Sequence, residues 1–129
     1  MISIGVQKAL LLHQLMIEQT GGELGVRDIG LLESALAACD ATFDGKELFP
    51  SKQEKAARLC VGLISNHAFV DGNKRIGVYL MLTFLEVNGI HIQADDDELV
   101  CLGMAIAKNE MGYEALLSWI TDHTSANDR

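Results

Sequence analysis

Proline occurs once in this sequence, at Pro50, and no long stretch alternates Val, Thr and Tyr with polar residues, which favours helices over sheet. Cysteine is scarce as well. Cys39, Cys60 and Cys101 lie far apart with no CxxC pair, each inside an apolar stretch. That spacing excludes a disulfide framework and a paired-thiolate metal site, and predicts three small hydrophobes in a reduced compartment. Positive charge is short: 10 Lys and Arg face 18 Asp and Glu, for a net charge of −8. Direct binding to nucleic acid or to an anionic membrane is therefore not expected. The amino terminus has no basic segment followed by an apolar run and cleavage site, and the longest apolar run, residues 76–85, is broken by Gly77 and Thr83. A secretory signal and a membrane span are not expected, and the chain reads as cytoplasmic. The common nucleotide signatures GxxxxGK[ST] and GxGxxG are missing. His13, His91 and His123 form no HExxH or other paired spacing and read as structural or surface residues.

What remains is Leu- and Ala-rich sequence of a length that suits one domain over residues 1–129. Helical periodicity predicts an all-α fold. A first helix covers residues 6–17 and ends before Thr20-Gly21-Gly22. Asp28 caps a second, and residues 40–50 read as loop. Ser51-Lys52-Gln53-Glu54 has the form of a capping box and starts a third helix near Lys52. That helix, and another over residues 76–87 that stops at Asn88-Gly89, are apolar around most of their circumference. Two buried central helices are predicted. The acidic run Asp95-Asp96-Asp97-Glu98 reads as a solvated helix cap rather than a metal site. Helices near residues 99–107 and 113–123 complete the chain, and residues 125–129 should fray.

Between the two central helices, the polar residues of the middle of the chain crowd into Asn66-His67-Ala68-Phe69-Val70-Asp71-Gly72-Asn73-Lys74-Arg75. A self-satisfied polar turn is the plain reading. Against it, Lys74 and Arg75 fall in the first turn of a helix, where cations oppose the macrodipole. A bound anion would reverse that sign, because free N–H groups, the dipole and both cations would converge on it. Gly72 lets the backbone approach a phosphate closely. Asp71 could hold Mg²⁺, which takes one or two carboxylates with phosphate oxygens and water. His67 could serve as a general base near neutral pH, and Phe69 would pin the loop to the core.

Residues 67–75 resemble the HxFx[D/E]GN[G/K]R signature of the Fic/Doc superfamily, and the lysine points to its Doc branch. The segments 25–35 and 49–57 also look like death-on-curing toxins. The resemblance implies a single-domain Fic/Doc-type helical bundle whose two buried central helices flank the motif loop. It implies a toxin that moves the γ-phosphate of ATP to a hydroxyl of a protein, a threonine of elongation factor Tu, and so stops translation. The alternative it carries is a Fic-type transfer of AMP. In its terms His67 is the base, Asp71 the metal residue, Gly72, Asn73 and Lys74 the anion hole, and Arg75 the neutraliser of phosphate charge, with Mg²⁺ as cofactor and ATP as co-substrate. A second arginine common in Fic enzymes is replaced by Val78, which favours the Doc-like orientation, and Ala68 stands where proline is frequent. With no inhibitory glutamate helix evident, control would come from a cognate antitoxin. A catalytically silent binding module is the reading from another class.

Overall fold

The computed structural model describes residues 1–125. Its helices are α1 (Val6–Thr20), α2 (Ile29–Ala38), α3 (Lys52–Asn66), α4 (Asn73–Val87), α5 (Asp96–Ala107) and α6 (Tyr113–His123). Their starts follow from side-chain caps. The Asp28 carboxylate accepts from Leu31 N at 3.2 Å. Ser51 Oγ accepts from Glu54 N at 3.0 Å while Glu54 Oε1 accepts from Ser51 N at 3.2 Å, the reciprocal pair expected from the sequence. Asp95 and Glu98 form a second such box, so the acidic run is a helix cap. Gly89, at φ 87°, closes α4 in the left-handed region.

The loop expected over residues 40–50 instead holds a short antiparallel hairpin, with β1 (Thr42–Phe43) paired to β2 (Lys46–Glu47). Asp44 and Gly45 both have positive φ, at 53° and 77°. Asp-Gly is a favoured pair for the tight turn whose twist matches two antiparallel strands. Lys55, on α3, fastens this hairpin: its Nζ donates to Glu47 Oε1 at 3.0 Å, Cys39 O at 2.9 Å and Asp40 Oδ1 at 3.3 Å. Burial works against its charge, yet the bonds to Glu47 and Asp40 hold its pKa above the ordinary lysine value.

The core lies on α3 and α4, which share the most extensive interface in the molecule. Leu59, Leu63, Ile64, Ile76, Leu80 and Leu85 are all buried there. Each contributes roughly 1.5–3 kcal/mol by leaving water. Gly77 lets the two helices close up, since a Cβ there would lie 2.6 Å from Ile64 Cγ1 and 3.2 Å from Cys60 O. Cys39 and Cys60 are buried as expected, but Cys101 lies on the outer side of α5 and is exposed, because only part of that helix packs inward. Among the described residues no helix is long and apolar enough to cross a membrane. Ser125 is tied down through its N–H to His91 O at 2.8 Å. The rest of the segment expected to fray, 126–129, lies outside the described residues.

Candidate active site

α3 stops because His67 turns into the left-handed region, at φ 53° and ψ 51°. That conformation costs a non-glycine residue about 1–3 kcal/mol and persists only where the surroundings enforce it. Arg27 enforces it: Nε donates to His67 O at 2.7 Å and Nη2 to Asn66 O at 2.9 Å, placing a cation on the negative end of α3. The next residues are pinned by the main chain. Ala68 O accepts from Arg27 N at 2.8 Å and Asp28 N at 3.0 Å, and Val70 N donates to Gly25 O at 3.1 Å. The His67 carbonyl is thus held while its exposed ring has no hydrogen-bond partner among the described residues.

Phe69 does pin the loop, being 1% exposed. Its ring stacks on that of His13, with centroids 3.9 Å apart and planes 11° from parallel. His13 Nε2 in turn donates to Asp71 O at 2.8 Å, so this buried histidine has the structural role expected of it, directly beneath the motif. Asn73 completes the turn: Oδ1 accepts from Phe69 N and Nδ2 donates to Phe69 O, both at 3.0 Å. Its side chain is therefore engaged, and what it offers an anion is its main-chain N–H. Asn73→Ala should lower unfolding stability by about 1–3 kcal/mol in urea titrations, because both main-chain groups of Phe69 lose their partner. An unchanged urea midpoint would mean that the clamp is dispensable.

The amino terminus of α4 is open. Gly72, at φ 77°, is the cap residue, and no side chain caps the helix. The first helical bond is Ile76 N to Gly72 O at 2.8 Å, which leaves the N–H groups of Asn73, Lys74 and Arg75 without a helical partner. The Lys74 side chain is exposed and unpaired among the described residues. Arg75 is oriented by α1, since its Nη1 donates to Thr20 Oγ1 at 2.6 Å and Gly21 O at 2.8 Å. Such a terminus has the geometry and charge that suit an anion.

Asp71 sits at its edge. Its Oδ2 accepts from Glu23 N at 3.0 Å and its Oδ1 from Gly72 N at 2.8 Å. These two bonds, with Arg75 and His13 adding to them against a smaller desolvation effect, hold the carboxyl below the usual aspartate range. The charged form is secured, and each oxygen keeps a lone pair. Among the described residues no three His, Cys, Asp or Glu side chains gather into a metal cage. The donor set fits Mg²⁺ held by one carboxylate and completed by phosphate oxygens and water, with Asp71 as the protein ligand.

The residues named from the sequence converge. His67, Asp71, Gly72, Asn73, Lys74 and Arg75 line one cavity of about 490 Å³. His123 does not join them; its Nε2 lies 3.0 Å from Glu98 Oε2, between α5 and α6. Sequence reasoning missed Arg27 and the Gly21-Gly22 turn. A Cβ at Gly22 would lie 2.6 Å from Asp71 Oδ2 and 2.9 Å from Arg75 Nη2, so a larger residue would push these two side-chain ends aside, and the φ of 118° there also favours glycine. The available signal was a glycine pair directly after a helix, which reads equally as a plain stop.

The sequence model of the Fic/DOC family matches residues 3–85. The chain is 49% identical over 77 residues to "Toxin Doc" of Mycolicibacterium smegmatis, a stretch that is 60% of this chain and 59% of that protein. It is 28% identical over 113 residues to "Protein kinase doc" of Escherichia phage P1, 88% of each chain. The match therefore spans less than two thirds of the mycobacterial relative.

Proposed function

The chain belongs to the Fic/DOC family, and from that premise we propose that it is a Doc-like toxin that transfers the γ-phosphate of ATP to a hydroxyl of a protein. The observation that carries this reading is that His67, whose imidazole has no hydrogen-bond partner among the described residues, lines the same cavity as an uncapped helix terminus bearing Lys74 and Arg75. The name of the mycobacterial relative supports the toxin half of this reading, and that of the more distant phage relative the kinase half.

In this reading a ring nitrogen of His67 takes the proton of the acceptor hydroxyl as its oxygen bonds to the γ-phosphorus. The bond from that phosphorus to the bridging oxygen breaks, and ADP leaves with the electron pair. The main-chain N–H groups at the start of α4, Lys74 and Arg75 meet the charge on the transferred group, and little more than positioning and charge stabilisation is required of the protein. Asp71 would hold Mg²⁺, which neutralises phosphate charge when bound. The protein target this reading names is elongation factor Tu, at a threonine. The exposed edge of the Thr42–Glu47 hairpin suits main-chain pairing with an acceptor segment. The partner is a cognate antitoxin that covers the cleft.

The test is a bacterial extract incubated with the protein and with ATP labelled at either the α or the γ position. Label from γ alone is expected on one protein band. Label from α would replace the kinase reading with AMP transfer, and binding of ATP without any labelled product would replace both with a silent module.

A further inference from the structure

The connection between α1 and α2, residues 21–28, runs along the motif loop in the opposite direction and meets it almost residue by residue. Glu23 N donates to Asp71 Oδ2 at 3.0 Å, Gly25 O accepts from Val70 N at 3.1 Å, and Val26 forms an antiparallel bridge with Phe69. Arg27 N and Asp28 N both donate to Ala68 O. Main-chain groups of the connection make all of these bonds, so none of them depends on which side chains it carries. The two carbonyls beside the imidazole are different. Among the described residues, His67 O and Asn66 O are met by the Arg27 side chain alone, from Nε at 2.7 Å and from Nη2 at 2.9 Å.

Those two carbonyls decide where the ring points. Were residue 67 to continue the right-handed helix, α3 would run on and the ring would fold back over the preceding turn. At φ 53° and ψ 51° the chain leaves the helix instead, and the ring lines the cavity with Asp71, Lys74 and Arg75. Nε and Nη2 lie on one edge of a flat guanidinium, so two consecutive carbonyls are held at a fixed spacing and angle. An ammonium offers one nitrogen and cannot do the same. The ring has no hydrogen-bond partner among the described residues, so no bond of its own competes with the backbone in setting its direction.

Resting on the reading above in which His67 is the general base, we propose that Arg27 is a positioning residue for it. The guanidinium holds the left-handed turn that aims the imidazole into the cleft, and it acts on phosphoryl transfer through His67 and through no other group. Arg27 is not among the residues that line the cleft, so its charge takes no direct part in meeting phosphate. Its side chain can also be removed without removing the connection, because Ala68, Val70 and Asp71 stay tied to main-chain groups. The plain alternative is a cap that merely stabilises the end of α3. Such a cap would lower stability when lost, with no special dependence on His67.

A cycle of substitutions separates the two. Transfer of γ-label to protein in a bacterial extract is timed for the unsubstituted chain, Arg27→Met, His67→Ala and the double variant, each beside a thermal melt and a calorimetric titration with ATP and Mg²⁺. Arg27→Met should slow transfer about ten- to a hundredfold, the scale of a misplaced catalytic group, with ATP affinity kept within about twofold. In the His67→Ala background the same change should alter the residual rate by less than about twofold, because the group it acts through is gone. Equal losses in both backgrounds would overturn the proposal, as would a folded Arg27→Met protein that transfers at the unsubstituted rate. Should Arg27→Met fail to fold, Arg27→Lys replaces it, keeping the charge at the end of α3 without the fork. It should show the same dependence on His67, and full activity from lysine would overturn the proposal. If the unsubstituted chain moves α-label instead, the kinase reading falls, and the same cycle read with that label still decides Arg27. If His67→Ala is as active as the unsubstituted chain, His67 is no base and both readings fall.

Discussion

Removing the imidazole of His67 should lower phosphoryl transfer by about 10²–10⁴-fold, the usual contribution of a positioned general base, while the unfolding transition stays where it is. The separation of the two effects follows from the way the residue is held. Its backbone is fixed by Arg27, through Nε to His67 O at 2.7 Å, and among the described residues its ring has no hydrogen-bond partner whose loss would destabilise the loop. Alanine meets the same left-handed strain as histidine, so the folded state gains and loses little. Single-turnover transfer of γ-label, read beside a thermal melt, tests both halves. In cells, His67→Ala should abolish growth arrest on expression without antitoxin. Arrest as strong as that of the unsubstituted protein would remove histidine from the chemistry.

Lys74→Gly carries the second large effect. The ammonium is a compact charge on a flexible stem, placed in the first turn of α4 where the helix dipole alone would disfavour it. Only an anion makes the position favourable. Loss of one charge-assisted contact to the transferred group should cost roughly 2–4 kcal/mol, or about a hundredfold in rate. Glycine itself costs at most about 1 kcal/mol of helix stability, so folding should survive. The residual product is the sharper readout: without the lysine, room along the loop returns, and weak α-label transfer should emerge as γ-label falls. Unchanged γ transfer would show that Arg75 and the helix terminus suffice.

The readable parts of this molecule were those in which one residue type leaves few choices. Asp28, the Ser51 to Glu54 box and Gly89 each fix a helix boundary locally, and every boundary they marked is present. The motif residues were legible because cations at a helix start violate a local rule. The rest depends on contacts across long stretches of chain. Arg27 reaches carbonyls 39 and 40 residues away, and nothing in its own neighbourhood distinguishes it from a surface arginine. Asn73 reads from the sequence as part of the anion hole, yet its side chain closes on Phe69, an alternative that spacing alone does not separate. The hairpin was passed over although Asp44-Gly45 announced it, because the strands have two residues each and no buried face to betray them.

Gly77 lies well inside the bundle, yet it bears on the width of the motif cleft. His67 follows the end of one central helix and the uncapped terminus begins the other, so the gap between them is set by a helix contact as well as by the loop. With Ile64 Cγ1 only 2.6 Å from where a Cβ would stand, any larger residue at 77 works as a wedge. Its effect would be felt about one turn away, at the end of α3 and the start of α4, as a widened motif cleft whose own residues are all intact.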